Sequence, residues 1–159
     1  LAAIVMEPIR SEPPHEGFLE GVREVANHVG AVLVVDEISA GFRINTGGTH
    51  LQLGFTPDIA VFSKAMGNGY PIAAIIGKKE VMDAAQNTFI SSTMWTERIG
   101  PTAALATIKK YRVLDASKHL MAIGQQIQEG WKKSASTYDL KLSVTVIPPL
   151  SHFVFEYEK

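Results

Sequence analysis

The sequence predicts an α/β fold built on a mostly parallel sheet with flanking helices. Three observations carry that prediction. Apolar runs at 1–6 (LAAIVM), 31–35 (AVLVV) and 58–62 (DIAVF) show no polar alternation, which is the pattern of strands covered on both faces. Between the first two runs, Phe18, Leu19, Val22, Val25, Ala26 and Val29 recur at helical spacing. Strand, helix and strand in that order form a right-handed unit whose two strands run parallel.

The elements follow in order. Residues 1–6 form a first strand, ended by Glu7 and by Pro8, which cannot donate to a central ladder. A loop carrying Pro13 and Pro14 leads to a helix from Glu16, which stops at Gly30. Residues 31–36 form the second strand, with Asp36 and Glu37 at its mouth. A loop through Gly41, Phe42 and Arg43 leads to a short helical turn at 50–53 and then to the third strand at 58–62. Lys64 stands just past that strand and before the turn Gly67-Asn68-Gly69, where glycine permits positive φ. The chain runs on extended over 71–76, and helices are expected over 78–86 and 102–111, separated by a hydroxyl-rich stretch at 90–101. A long amphipathic helix is expected over 115–138, with Leu120, Ile123, Ile127 and Trp131 on one face. Two strands, 140–147 and 152–157, close the sequence around Pro148 and Pro149.

Composition narrows the function classes. A chain of 159 residues can bury one sizeable core, and its net charge of −1 supplies neither a basic face for nucleic acid nor a polybasic membrane patch. Small molecules or another protein are the expected partners. With no cysteine, disulfides and thiolate metal sites are excluded, and a cytoplasmic setting is compatible. The five histidines show no zinc spacing, so no metal is expected, and His50 reads as a surface or helix residue.

The chemistry centres on FSKAMGNGYP, residues 62–71. A lysine at a strand end can lose its proton on desolvation, and a neutral amine is a nucleophile toward carbonyls; the plainer reading is a loop lysine reaching solvent. Twenty-eight residues upstream, Asp36 ends another apolar strand. Ligands bind at such strand ends in open α/β sheets, and a lysine with an aspartate is the pair that pyridoxal phosphate needs, one for its aldehyde and one for its pyridine nitrogen. Taken singly, Asp36 could equally cap the following turn, and Arg43 could meet a substrate carboxylate, meet a neighbouring subunit or be structural.

VVDEISAGFR followed by DIAVFSKAMGNGYPIAAIIG resembles the cofactor core of the fold-type I, class III aminotransferases, the group that includes glutamate-1-semialdehyde aminomutase and the ω-aminotransferases. Ile38 stands for that family's usual valine. The resemblance implies that residues 1–112 are part of a pyridoxal-phosphate-binding large domain. Residues 113–159 are then a connector helix and the beginning of a small α+β C-terminal domain. It further implies a Schiff base on Lys64, Asp36 on the ring nitrogen, Ile38 against a ring face and Thr93 on the cofactor phosphate across a dimer interface. The expected function is amino-group transfer from a small-molecule donor to a keto or aldehyde acceptor, in a homodimer. The Ser39–Arg43 turn leans toward the aminomutase-like branch. Glu97-Arg98-Ile99-Gly100 departs from the family's Gly-Asn, which leaves Thr96 and Ser92 as alternatives to Thr93, and a helix-capping cluster as the structural reading. Both ends fall within apolar runs and the family's proteins are longer, so the sequence is expected to be an internal piece that alone is inactive. The rival from another class is a non-catalytic α/β binding or assembly piece in which Lys64 is structural.

Overall fold

A computed structural model describes residues 1–156. Four strands, β1 (Ala3–Met6), β2 (Val32–Asp36), β3 (Ile59–Phe62) and β4 (Ala74–Gly77), form one sheet in that order. The first three are parallel neighbours and β4 is antiparallel to β3. The sheet is therefore mostly parallel, as the sequence predicts. The reversal at β4 follows from the short connection after β3, since a parallel return needs a crossover of about a dozen residues or more, usually helical.

Helix α1 (Phe18–Val29) is the β1–β2 crossover. It ends where Gly30 turns left-handed at φ 66, with the Gly30 and Ala31 N–H groups donating to Asn27 and Ala26 carbonyls. That closure is a Schellman motif, and it starts β2 at once. Of the two apolar stripes on α1, Leu19, Val22 and Ala26 face the sheet, whereas Phe18, Val25 and Val29 are exposed.

Burial on both sheet faces is the expectation the structure corrects. Leu33 and Val35, packed with Leu19, Ala26 and Phe55, are inaccessible to solvent. The opposite face is open: Val5 is 68% and Ile75 59% exposed, and Val32, Val34, Ile59 and Val61 are only half-buried. No helix among the described residues covers that face fully, so the apolar run encodes a burial that these residues supply on one side only. A second cluster, Phe42, Ala60, Phe62, Met66, Ala104 and Tyr111, joins the β3 end to α3 (Ile99–Leu114).

Helix α2 (Lys79–Met82) continues into a 3-10 segment, Asp83–Asn87. Helix α4 (Ala116–Thr137) then leads to β5 (Leu142–Val144) and β6 (Phe153–Phe155), a separate antiparallel pair. The expected second strand reaches Tyr157, which lies outside the described residues. The inward side of α4 keeps Leu120 and Trp131 of the expected face but is otherwise Gly124, Gln128 and Ala135, while Ile123 and Ile127 are exposed. Gly124 explains it. A Cβ there would lie 2.2 Å from the Pro148 carbonyl oxygen, so glycine lets the turn between β5 and β6 seat against the helix backbone, and Gln128 Nε2 donates to the Thr145 carbonyl at 2.8 Å beside it.

Candidate active site

Strands β2 and β3 end side by side. Asp36 lies opposite Val61 in their register, so Ser39 and Lys64 leave the sheet at matching positions beyond that pair. Strand alternation turns Val35 and Glu37 to the closed face and Asp36 to the other. Asp36 Oδ1 accepts the Ile38 N–H at 2.8 Å, an Asx turn that starts the loop. No hydrogen bond to its Oδ2 forms among the described residues. The turn-capping reading of Asp36 holds for one oxygen, and the other is unbonded among the described residues. Ile38 is half-buried beside it.

Lys64 sits in a left-handed conformation at φ 42, which costs a non-glycine residue about 1–3 kcal/mol. A 3-10 turn over Lys64–Met66 holds it there, the Lys64 carbonyl accepting the N–H groups of Gly67 and Asn68 at 3.1 and 3.0 Å. The side chain is exposed rather than desolvated. Its Nζ donates to Ser39 Oγ at 2.6 Å, and it forms no ion pair among the described residues. Gly41 permits the turn beneath: a Cβ there would stand 2.7 Å from the Glu37 carbonyl oxygen and 2.9 Å from the Phe62 ring.

A cleft of about 1140 Å³ opens beside Lys64, with Phe42 and Leu120 among its apolar walls. Arg43, Arg98 and Lys110 line it, and among the described residues no carboxylate does, so the cleft favours an anionic ligand. Asp36 does not line it.

Two buried acidic residues brace the sheet, Glu37 beside the site and Asp58 at the opposite end of β3. Glu37 is 1% exposed, and its Oε1 accepts the His50 backbone N–H at 2.9 Å and pairs with His50 Nδ1 at 2.7 Å. Burial alone would raise its carboxyl, but the His50 ring and the backbone N–H groups of His50 and Thr49 outweigh it and hold the pKa below the ordinary value. No hydrogen bond of good geometry reaches its Oε2 among the described residues. Asp58, at the foot of β3, accepts the Leu33 N–H and Arg23 Nη1 on Oδ2, each at 2.8 Å, and meets Lys78 Nζ at 2.8 Å on Oδ1. Burial again opposes ionisation, yet the Leu33 N–H, Lys78 and Arg23 bring the carboxyl down to about 2. Neither role is visible in local spacing, and the surface reading of His50 is overturned: the residue is 9% exposed, and its ring packs edge-on against Phe55.

Thr93 is not brought to the other candidates. It lies exposed in a turn over 93–96, and no hydrogen bond joins it to Lys64 or Asp36. Ser92 Oγ accepts the Met94 N–H within the same turn. The hydroxyl cluster does not cap α3; the Glu97 carboxylate does, taking the N–H groups of Ile99 and Gly100. The residue that departs from the Gly-Asn pattern therefore has a structural reason.

The family model for "Aminotransferase class-III" matches residues 1–146. The chain is 35% identical to 3-aminobutyryl-CoA aminotransferase of Cloacimonas acidaminovorans (strain Evry), an alignment that covers all of this chain and 40% of that protein. It is 32% identical to glutamate-1-semialdehyde 2,1-aminomutase 2 of Lysinibacillus sphaericus (strain C3-41), covering all of this chain and 38% of that one. Its fold superposes on the PLP internal aldimine form of the FumI protein of Sphingopyxis sp. MTA144 with a TM-score of 0.88 at 28% identity, over 97% of this chain and 39% of that one. The chain spans about two fifths of the length of the curated relatives it matches.

Proposed function

This chain belongs to the class III aminotransferases, and from that premise we propose that it carries the lysine and aspartate of a pyridoxal phosphate site that moves amino groups. One observation supports the assignment most: Lys64 and Asp36 flank each other at the carboxyl ends of neighbouring parallel strands, the position where open α/β sheets bind ligands. The residues suit the cofactor. Asp36 offers an unbonded carboxylate oxygen to a ring N–H, and Lys64 offers an amino group not tied to any carboxylate.

When bound, the cofactor supplies an aldehyde that takes amines and a cationic ring that accepts an electron pair from carbon. Lys64 would hold the cofactor aldehyde through its Nζ and, as a free amine, would take and return the proton of the substrate carbon. Asp36 would hold the ring nitrogen protonated, and Ile38 would pack against a ring face. Arg43, Arg98 and Lys110 draw the negative charge of a keto or amino acid into the cleft. The reaction is transfer of an amino group from a small-molecule donor to a keto or aldehyde acceptor, and the turn at Ser39–Arg43 favours the aminomutase-like branch.

We assign Thr93 to the cofactor phosphate of a neighbouring subunit in a homodimer. Its exposed turn and the apolar side chains around it support this reading, since Phe89 is 95% and Trp95 67% exposed and such a cluster fits an interface.

The test is chemical. Full-length protein loaded with pyridoxal phosphate, reduced with borohydride and digested, should carry the pyridoxyl group on Lys64. Its near-visible absorbance should survive dialysis and vanish in Lys64→Ala. A pyridoxyl group on another lysine, or no retained cofactor, refutes the assignment and favours a non-catalytic piece.

A further inference from the structure

We propose that Ser39 is a positioning residue for Lys64, its hydroxyl holding the lysine amino group in both protonation states; the inference rests on the reading of Lys64 as the cofactor lysine. The 2.6 Å contact from Lys64 Nζ to Ser39 Oγ joins residues 25 apart in sequence. It follows from register rather than from chance approach of two loops, because Ser39 and Lys64 leave adjacent strands at equal steps past the Asp36–Val61 pair.

Both partners are held from behind. The Ser39 carbonyl accepts Arg43 Nε at 3.3 Å, the Glu37 carbonyl accepts the Gly41 N–H at 2.8 Å, and Asp36 Oδ1 fixes Ile38. Lys64 is aimed by its left-handed backbone and the turn that follows.

The chemistry of a hydroxyl suits the task. A lysine that carries a proton alternates between ammonium, which can only donate, and neutral amine, which has a lone pair to fill. The Ser39 oxygen accepts from the first, and its O–H rotates to donate to the second. A carboxylate in that place could only accept and would hold the ammonium; an aliphatic side chain would hold neither form. Ser39 therefore keeps the amino group at the strand end between proton uptake and return without fixing its charge.

Three variants test this: Ser39→Ala removes the hydroxyl, Ser39→Thr keeps it, and Ser39→Cys keeps the shape with a poor hydrogen bond. In cofactor-free full-length protein, brief acetylation with acetic anhydride followed by peptide mapping reads how free Lys64 is, with exposed Lys109 on α3 as internal standard. Release from one hydrogen bond should raise Lys64 labelling about fivefold in Ser39→Ala and Ser39→Cys, and Ser39→Thr should match wild type. In the loaded enzyme the same two variants should slow solvent exchange of the substrate C–H with KM unchanged, and Ser39→Thr should restore it. Equal labelling across all four proteins overturns the proposal, as does Ser39→Cys behaving as wild type. The parent assignment fails separately, by a pyridoxyl group found off Lys64; a group on Lys64 with unchanged Ser39→Ala behaviour sinks the Ser39 role alone.

Discussion

Asp58→Asn offers a prediction whose size can be worked out in advance. The carboxyl is brought from its ordinary 3.8 to about 2 by the Leu33 N–H, Lys78 and Arg23 acting against burial. At about 1.4 kcal/mol per unit, that depression corresponds to about 2 kcal/mol of folding free energy at neutral pH. Because the folded pKa lies below the unfolded one, the contribution is whole above the unfolded value and is lost as pH falls through 3.8 toward 2. Asparagine can still accept the Leu33 N–H but cannot answer Arg23, whose side chain is 17% exposed; Lys78, at 44%, loses less. Urea unfolding of full-length wild type and Asp58→Asn, followed by circular dichroism from neutral pH down to about pH 2, should show a gap of about 2 kcal/mol that closes toward the acid end. Glu37, also held below its ordinary value, loses its own contribution on acidification equally in both proteins, so the difference isolates Asp58. A gap that is absent, or that stays constant with pH, refutes the reasoning.

Four further outcomes are expected. Asp36→Asn should keep pyridoxal phosphate on Lys64 yet slow solvent exchange of the substrate C–H by about 100-fold or more, and wild-type exchange rates would remove Asp36 from the chemistry. Thr93→Val should weaken cofactor retention without changing the unfolding midpoint; sedimentation as a fully active monomer would rule out the shared site. Glu37→Ala should cost about 3–5 kcal/mol by stranding His50, and a double-mutant cycle with His50→Ala should return a coupling of roughly 1–3 kcal/mol, whereas additive losses would mean the pair is incidental. Gly124→Ala should destabilise by about 1–3 kcal/mol through the clash with Pro148, read as selective loss of amide protection in β5 and β6; unchanged protection would refute the close approach.

The parts of the site legible in the sequence were those that strand patterns reveal. An apolar run closed by Asp36 and another followed by Lys64 imply neighbouring strand ends, and the parallel register joins them. Partners that meet only in three dimensions left no such mark. His50 reaches Glu37 across 13 residues of irregular loop, and Asp58 gathers α1, β2 and the start of α2. Helix boundaries were legible where glycine or proline marks them, as at Gly30, and less so for α3, whose first turn is capped by a carboxylate from an unexpected position. On α4 the expected Leu120 and Trp131 face inward, but hydropathy ranks Ile123 above Gly124, whereas backbone proximity selects the residue with no side chain.

Two carboxylates in succession, Asp36 and Glu37, have opposite duties only because a strand alternates its faces. A one-residue deletion in β2 would move both out of place: the longer acid would take the open strand end beside Lys64, and the shorter one would fall in the place of Val35, inside the core. The same frame shift would bring the solvent side of β2 against α1. Chemistry and core thus share a single phase along this strand, and the chain cannot lengthen or shorten β2 by one residue to adjust either without displacing both.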